Sequence, residues 1–328
     1  MGILKRQWKR LLTLSLFFIF IFLSLEIGVA SDVNLRTFLA GDETARLVFI
    51  HSRIPRTVAV ILSAASLSVA GLLMQAISRN KFMSPTTAGT TDAAALGMLL
   101  TIVGFGGVSA IWQAVFAFVF ALLATLLFTS IINRLKIREV VYIPLIGLMY
   151  GGVIGAISTA ISFRTQTMPI LAALNLGSFA RLGTFTLVYI VIIPLLFSVL
   201  FATKFSIIGL GADFAKNLGL NYNRVVILGL VIVALISAST FVAVGPLPFI
   251  GLIIPNMATS FYGDNLKKSI WDLMLFGATF VMLCDIVSRL VIFPFEMNVS
   301  VTISVVGGIV FMIYLLRGMR HGSRKAKA

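Results

Sequence analysis

Apolar runs of the length needed to cross a bilayer recur from one end of this chain to the other, and they leave few folds open. A helix uses about 20 residues to cross about 30 Å of hydrocarbon. Stretches such as Leu11–Ala30, Ile54–Ser78, Trp112–Ile132, Val141–Phe163 and Val225–Val244 have that length. With 59% hydrophobic and 11% charged residues and a mean hydropathy of +1.07, the 328-residue chain keeps little with which to build a water-soluble domain. The expectation is an all-α membrane protein: a single transmembrane domain over residues 1–328, with about ten helices in one bundle.

In chain order, KRQWKR precedes the first run, which imitates a secretory signal with small residues at Val29, Ala30 and Ser31 but is too long to be one. A polar segment from Asp32 to Ser52 follows on the outer side, and Ile54–Ser78 returns with Pro55 in its first turn, where a missing N–H is harmless. A short third crossing starts near Thr90; Thr90, Thr91 and Asp92 suit a helix start, because side-chain oxygens take orphan N–H groups and a carboxylate meets the positive dipole end. The remaining crossings are Trp112–Ile132, Val141–Phe163, Thr184–Thr203, Val225–Val244, a short Ile250–Tyr262, Ile270–Ile292 and Val299–Leu316. Ten crossings put both termini in the cytoplasm.

The charges agree with this topology. Lys5, Arg6, Lys9, Arg10, Arg79, Lys81, Arg134, Lys136, Arg138, Lys204, Lys216, Arg224, Lys267, Lys268, Arg317, Arg320, Arg324, Lys325 and Lys327 all fall on the predicted inner side. Arg36, Arg46, Arg53, Arg56, Arg164, Arg181 and Arg289 fall outside or near outer helix ends, balanced by Asp32, Asp42, Glu43 and Glu296. Positive loops inside are the rule for membrane proteins. The formal net charge of +15 therefore needs no nucleic acid, and the basic tail is suited to anionic lipid heads.

Chemistry-bearing motifs are scarce. Cys284 is the single cysteine and lies in an apolar run, while His51 and His321 are far apart, so no metal-binding residues are expected. HExxH, GxSxG and paired intramembrane aspartates are all missing, which argues against an intramembrane hydrolase. Asp285 and Arg289 share a helix face at i,i+4 and can pair, either as a structural bond or as a functional charge.

Two stretches stand out. Gly209–Arg224 is a polar island, too rich in Lys216, Asn217, Asn221, Asn223 and Arg224 for hydrocarbon, in which glycines bracket a helix of about two turns over Ala212–Leu218. It reads either as a docking helix on the membrane surface or as a solvated loop. In the fifth run, Gly147, Gly151 and Gly155 form one row of small residues, with Gly152, Ala156 and Ala160 beside it and Ser158, Thr159 and Ser162 nearby. Such rows let helices approach closely. Two adjacent rows also suit a helix packed on one side and facing a passage on the other.

RIPRTVAVILSAASLSVAGLLMQAISRN at Arg53–Asn80, GADFAKNLGLNYNR at Gly211–Arg224, GPLPFIGLIIPN at Gly245–Asn256, and CDIVSRL onward into the tenth run together resemble the permeases of ATP-binding-cassette importers for iron–siderophore complexes, haem and cobalamin. The resemblance implies a multi-pass prokaryotic cell-membrane protein that pairs with itself or a close relative. It implies two separate ATP-binding-cassette subunits and an extracytoplasmic substrate-binding protein as partners. This chain would then be no enzyme and bind no cofactor, with ATP and Mg²⁺ handled by the partner ATPase; in agreement, it has no GxxxxGK[ST] loop. Ala212, Asp213, Phe214, Ala215, Lys216, Asn217, Leu218, Gly219 and Leu220 resemble the ATPase-coupling helix. Arg53, Arg56 and Arg289 resemble arginines that receive acidic groups of the binding protein, although RIPR also fits a snorkelling helix end. Gly147, Gly151, Gly155, Ser158, Gly177, Ser178, Gly245 and Pro246 are the candidates for the translocation path or its helix packing.

The expected cargo is an iron–siderophore complex, with cobalamin or haem as alternatives within the family. The sequence departs from the family pattern at Asn256, Asn175 and Asp92, where His, Trp and Gly respectively are more usual, and at RNK with Phe82, Arg79–Phe82, where RNP is more usual. An ion-coupled secondary transporter is the alternative of another class, and it requires acidic residues at mid-membrane. Glu26, Asp92, Asp272 and Asp285 are the candidates, all expected towards helix ends.

Overall fold

The computed structural model describes residues 2–28, 33–106, 109–135, 142–180, 185–262 and 266–325. Lys136, Arg138, Arg181 and Lys327, like the small-residue exit at Val29–Ser31, lie outside the described residues. So do the side chains of Lys5, Arg6, Lys267, Lys268, Arg317, Arg320, Arg324 and Lys325.

The described elements are helical throughout. α1 (Gly2–Glu26) is followed by two short outer helices, α2 (Leu35–Leu39) and α3 (Glu43–Val48). A π-helical turn, Phe49–Arg53, joins α3 directly to α4 (Ile54–Ser78). Then come α5 (Thr90–Phe105), α6 (Ala110–Leu135), α7 (Tyr142–Arg164) and a short α8 (Met168–Leu174). A 3₁₀ segment, Phe185–Val191, leads into α9 (Ile192–Leu200), α10 (Ala202–Gly209) and α11 (Ala212–Asn217). The chain ends with α12 (Tyr222–Val244), α13 (Ile250–Tyr262), α14 (Leu266–Leu290) and α15 (Val299–Lys325).

Among the described residues, six helices are long and apolar enough to cross a membrane: Gln7–Glu26, Glu43–Ser78, Ala110–Leu135, Tyr142–Arg164, Tyr222–Val244 and Ser269–Leu290. The expected sixth crossing is instead broken, with Leu187–Leu200 and Ala202–Gly209 meeting at 64°. The expected total of ten depends on this bent pair, on the shorter α5 and α13, and on the apolar stretch Val299–Ile313 of α15.

Burial separates centre from rim. In its apolar window the Glu43–Ser78 helix is 83% buried inside the protein, α12 78% and α14 67%, against 11% for α1 and 28% for α6 and α7. α4 is therefore the axis, touching α10, α12, α13, α14 and the 3₁₀ segment. Small residues make these crossings tight. A Cβ on Gly71 of α4 would run into the Gly251 carbonyl of α13, and one on Gly277 of α14 would overlap the Ser68 hydroxyl. Without a hydrophobic drive between helices in lipid, such close van der Waals packing is what holds them.

The loop from α4 to α5 also enters the bundle, with Met83, Ser84 and Ala88 fully buried. It carries its own hydrogen bonds: Phe82 N–H to Asn80 Oδ1 at 2.9 Å, and Ser84 N–H to Thr87 Oγ1 at 2.8 Å. Irregular backbone survives inside a membrane protein only under such conditions. Asn256 of α13 ties to this loop, its amide donating to the Lys81 carbonyl at 2.7 Å and to Leu252 O at 2.7 Å.

Gly71→Val is expected to lower the yield and thermal midpoint of the purified protein, since overpacking a filled contact costs about 1–3 kcal/mol. Gly152→Ala, where a new methyl meets open space, is the control expected to leave both unchanged. Equal behaviour of the two would contradict the glycine-on-glycine crossing.

Candidate functional site

The polar island forms a short helix fixed at both ends. Gly211 enters it at φ 118° and ψ 164°, a conformation side-chain-bearing residues avoid. Gly219, at φ 75°, closes it: Leu220 N–H bonds Ala215 O at 3.0 Å and Gly219 N–H bonds Lys216 O at 2.8 Å. These two bonds make a Schellman stop. Asn221 then caps α12 through Arg224 N–H at 3.2 Å. Of the expected coupling residues, Ala215 faces inward and is fully buried. Asp213, Phe214, Lys216, Asn217, Leu218 and Gly219 are exposed, and Ala212 and Leu220 are half-buried. Phe214 at 49% exposure and Leu218 at 56% sit one turn apart beside Lys216. An apolar pair held out on a rigid, charged helix can fill a groove in another protein.

At the other end of the bundle, three arginines and two acids form one network. Arg56 donates to Asp285 Oδ1 at 2.8 Å and to Glu296 at 2.7 Å, and Arg289 pairs with the other Asp285 oxygen. Arg289 also donates to the carbonyls of Ser24 at 3.0 Å and Ile27 at 2.9 Å and to the Ser24 hydroxyl at 2.8 Å. Arg53 donates to the carbonyls of Leu25 at 2.5 Å, Glu26 at 3.1 Å and Val33 at 2.7 Å. It lies over the Phe49 ring, 5.0 Å from the centroid. Arg53 and Arg289 thus satisfy the last carbonyls of α1, where a helix leaves orphan acceptors and a negative dipole end.

The expected meeting of these arginines with an acidic partner has a physical obstacle in this arrangement. Arg53 and Arg289 are each only 5% exposed, and the terminal nitrogens of both donate within the chain. A cavity of about 200 Å³ is lined by Arg53, Arg56, Arg289 and Glu296, among others. Into this region Arg56 Nε and Arg289 Nε bring buried N–H groups with no partner among the described residues. The Asp285–Arg289 bond was legible from spacing; the bonds from Arg56 to Asp285 and Glu296 join residues too distant in sequence to leave a local signal.

The remaining candidates divide between packing and opening. A Cβ on Gly147 would strike Thr87 O, and one on Gly151 would lie 2.7 Å from Asp92 Oδ2, so both glycines admit the loop and α5 against α7. Gly155 meets nothing within 4 Å, and Ser158 is buried. Gly177, Ser178, Gly245 and Pro246 form a backbone junction: Ser178 N–H bonds Val244 O at 2.9 Å, Ser300 N–H bonds Gly177 O at 3.2 Å, and a Cβ on Gly177 would collide with Pro246 O. These four therefore lock α12 and α15 to the segment after α8.

Asp92 is in the first turn of α5, as expected, and that turn packs against the middle of α7 and not against its end. It abuts Gly151, nine residues into α7, which is roughly 14 Å along a helix of about 34 Å. The buried loop carries the start of α5 to that depth. No group of three or more His, Cys, Asp or Glu able to hold a metal occurs among the described residues.

Comparison with known proteins gives a family match over residues 12–317, to the FecCD transport family. The petrobactin import system permease protein YclN of Bacillus subtilis (strain 168) is 40% identical over 90% of this chain and 93% of its own length. The ferric-anguibactin transport system permease protein FatD of Vibrio anguillarum is 36% identical over 85% of this chain and 90% of its own. Among solved structures, an inward-facing metal-chelate type ABC transporter superposes with a TM-score of 0.79 at 22% identity, covering 95% of this chain and 99% of that one. That last likeness establishes the fold.

Arg289→Ala leaves Asp285 short of one partner and the Ser24 and Ile27 carbonyls bare. A loss of about 3–5 kcal/mol is expected for breaking a buried pair, read as a fall in thermal midpoint and membrane yield. Arg46→Ala, at an exposed position, is expected to change neither. A normally stable Arg289→Ala protein would show that the network does not hold the bundle.

Proposed function

The chain belongs to the FecCD transport family, and from that premise we propose that it is the membrane-spanning subunit of an importer for an iron–siderophore complex. The observation that carries this reading is similarity along nearly the whole chain to permeases named for petrobactin and anguibactin. In this reading the subunit pairs with a second copy or a close relative, an extracytoplasmic binding protein delivers the chelate, and two ATPase subunits bind ATP and Mg²⁺. Ten crossings with both termini in the cytoplasm belong to the same proposal. Cobalamin and haem are the competing cargoes.

The geometry supports a division of labour. α11 meets the ATPase, with Phe214 and Leu218 as anchors and Lys216 as a charge partner. Because α10 packs on α4 and α14, a push on α11 reaches the central helices. On the outer face, exposed Arg36 and Arg46 are better placed than buried Arg53 and Arg289 for a first encounter with an acidic binding protein. Such surface charges steer association and register. The cargo passes beside the open face of α7, where Gly152 and Gly155 leave space. A metal held inside its chelate needs no ligands from the wall, in keeping with the lining of small and hydroxyl side chains.

The test is uptake of labelled ferric siderophores, haem and cobalamin by iron-starved cells with and without the gene. Loss of one ferric siderophore, restored by wild type, is the expected result. Intact iron uptake with lost cobalamin or haem uptake would overturn the cargo. Phe214→Asp is expected to cut uptake and co-purification of the ATPase by roughly tenfold or more, as removal of an interface anchor does; undiminished co-purification would remove α11 from the coupling role.

A further inference from the structure

We propose that Asp92, with Ser158, Thr159 and Asn175, forms a niche in the wall of the translocation path that takes a protonated amine carried by the cargo. The identification of the amine with cargo rests on the importer reading above. The niche itself rests on the following geometry.

A cavity of about 160 Å³ lies between α5, α7 and α8, lined by Asp92, Ala95, Gly155, Ser158, Thr159, Leu171 and Asn175. Asp92 is the one ionisable side chain in that lining, and its carboxylate makes no ion pair among the described residues. An unpaired charge at this depth is costly, and such residues face polar cavities where function retains them. Gly151 makes room for this one: a methyl there would press on Asp92 Oδ2 at 2.7 Å.

The neighbouring groups fix the sign of the guest. Ser158 spends its hydroxyl proton on Ile154 O at 3.0 Å, and Thr159 spends its own on Gly155 O at 2.9 Å. Both oxygens are left with lone pairs, and Asn175 adds a carbonyl that can turn inward. A hydroxyl has one proton to donate and two acceptor sites, and an ammonium has donors only. A carboxylate and hydroxyl acceptors therefore match an ammonium and repel an anion. The bland account, a helix N-terminal acid beside ordinary back-bonded hydroxyls, explains each residue singly. It does not explain why the acid is left unpaired in a cavity that a glycine keeps open.

The permease purified in detergent tests this directly. Spermidine and n-butylammonium at millimolar concentration are expected to raise its thermal midpoint by roughly 2–4 °C, as a ligand in excess of its dissociation constant does. Sodium chloride of equal ionic strength and n-butanesulfonate are not. Asp92→Asn should abolish the shift and Asp92→Glu should keep part of it, each judged against that variant's own midpoint without ligand. An absent shift, or one undiminished in Asp92→Asn, overturns the niche even where cells import ferric siderophores normally. An Asp92-dependent shift in a chain that imports no ferric siderophore overturns the assignment of the amine to an iron cargo.

Discussion

A backbone carbonyl at a helix end, buried where no water reaches it, must find a donor, and the end of this bundle where α1 stops is built around that requirement. α1 stops at Glu26, and the guanidinium groups of Arg53 and Arg289 serve its last carbonyls. The arginines in turn need counter-charge, which the fully buried Asp285 supplies to Arg289 and to Arg56. Glu296 completes the balance from the segment before α15. One unsatisfied helix terminus thus brings α1, α4, α14 and the approach to α15 into a single hydrogen-bonded unit. At the opposite end, Arg10 meets Asp272 at 2.5 Å and Thr13 meets the Tyr262 hydroxyl at 2.7 Å, so the largely exposed α1 is held at both ends.

With the ends fixed, small residues decide how the middle behaves. Gly71 against Gly251 and Gly277 against Ser68 make the contacts of α4 too close for any side chain, giving a stiff axis. α7 is different. It packs through Gly147 and Gly151 and leaves Gly152 and Gly155 facing open space. A stiff axis joined through α10 to an exposed α11, and a loosely covered α7 packed on α5 and α8, are parts an importer subunit can use for closure and passage.

Most of the skeleton is legible in the sequence. Ile54–Ser78 and Ile250–Tyr262 follow from apolar length and flanking polar residues alone, and the glycines around Ala212 announce α11 before any coordinate is known. Three features are not legible because non-local contacts decide them. Glu43–Ser78 is one continuous helix since the π turn at Phe49–Arg53 lets the chain run on despite its polar content. The break at Phe201 carries neither glycine nor proline, the usual signals. The position of Asp92 depends on a buried loop whose Ser, Thr and Asn side chains satisfy its backbone, so a residue at a helix start comes to lie against the middle of α7. The same applies at the arginine cluster, where composition marks a charged outer face but the side chains turn inward to cap α1.

The central claim, that this chain carries an iron chelate across a membrane under the control of a separate ATPase, is tested most directly by reconstitution. The chain, its ATPase and its binding protein are placed in sealed liposomes, and entry of ⁵⁵Fe-siderophore is followed with and without ATP. ATP-dependent accumulation that requires all three components is the predicted result. Accumulation by this chain alone, driven by an ion gradient and indifferent to ATP, would contradict the account.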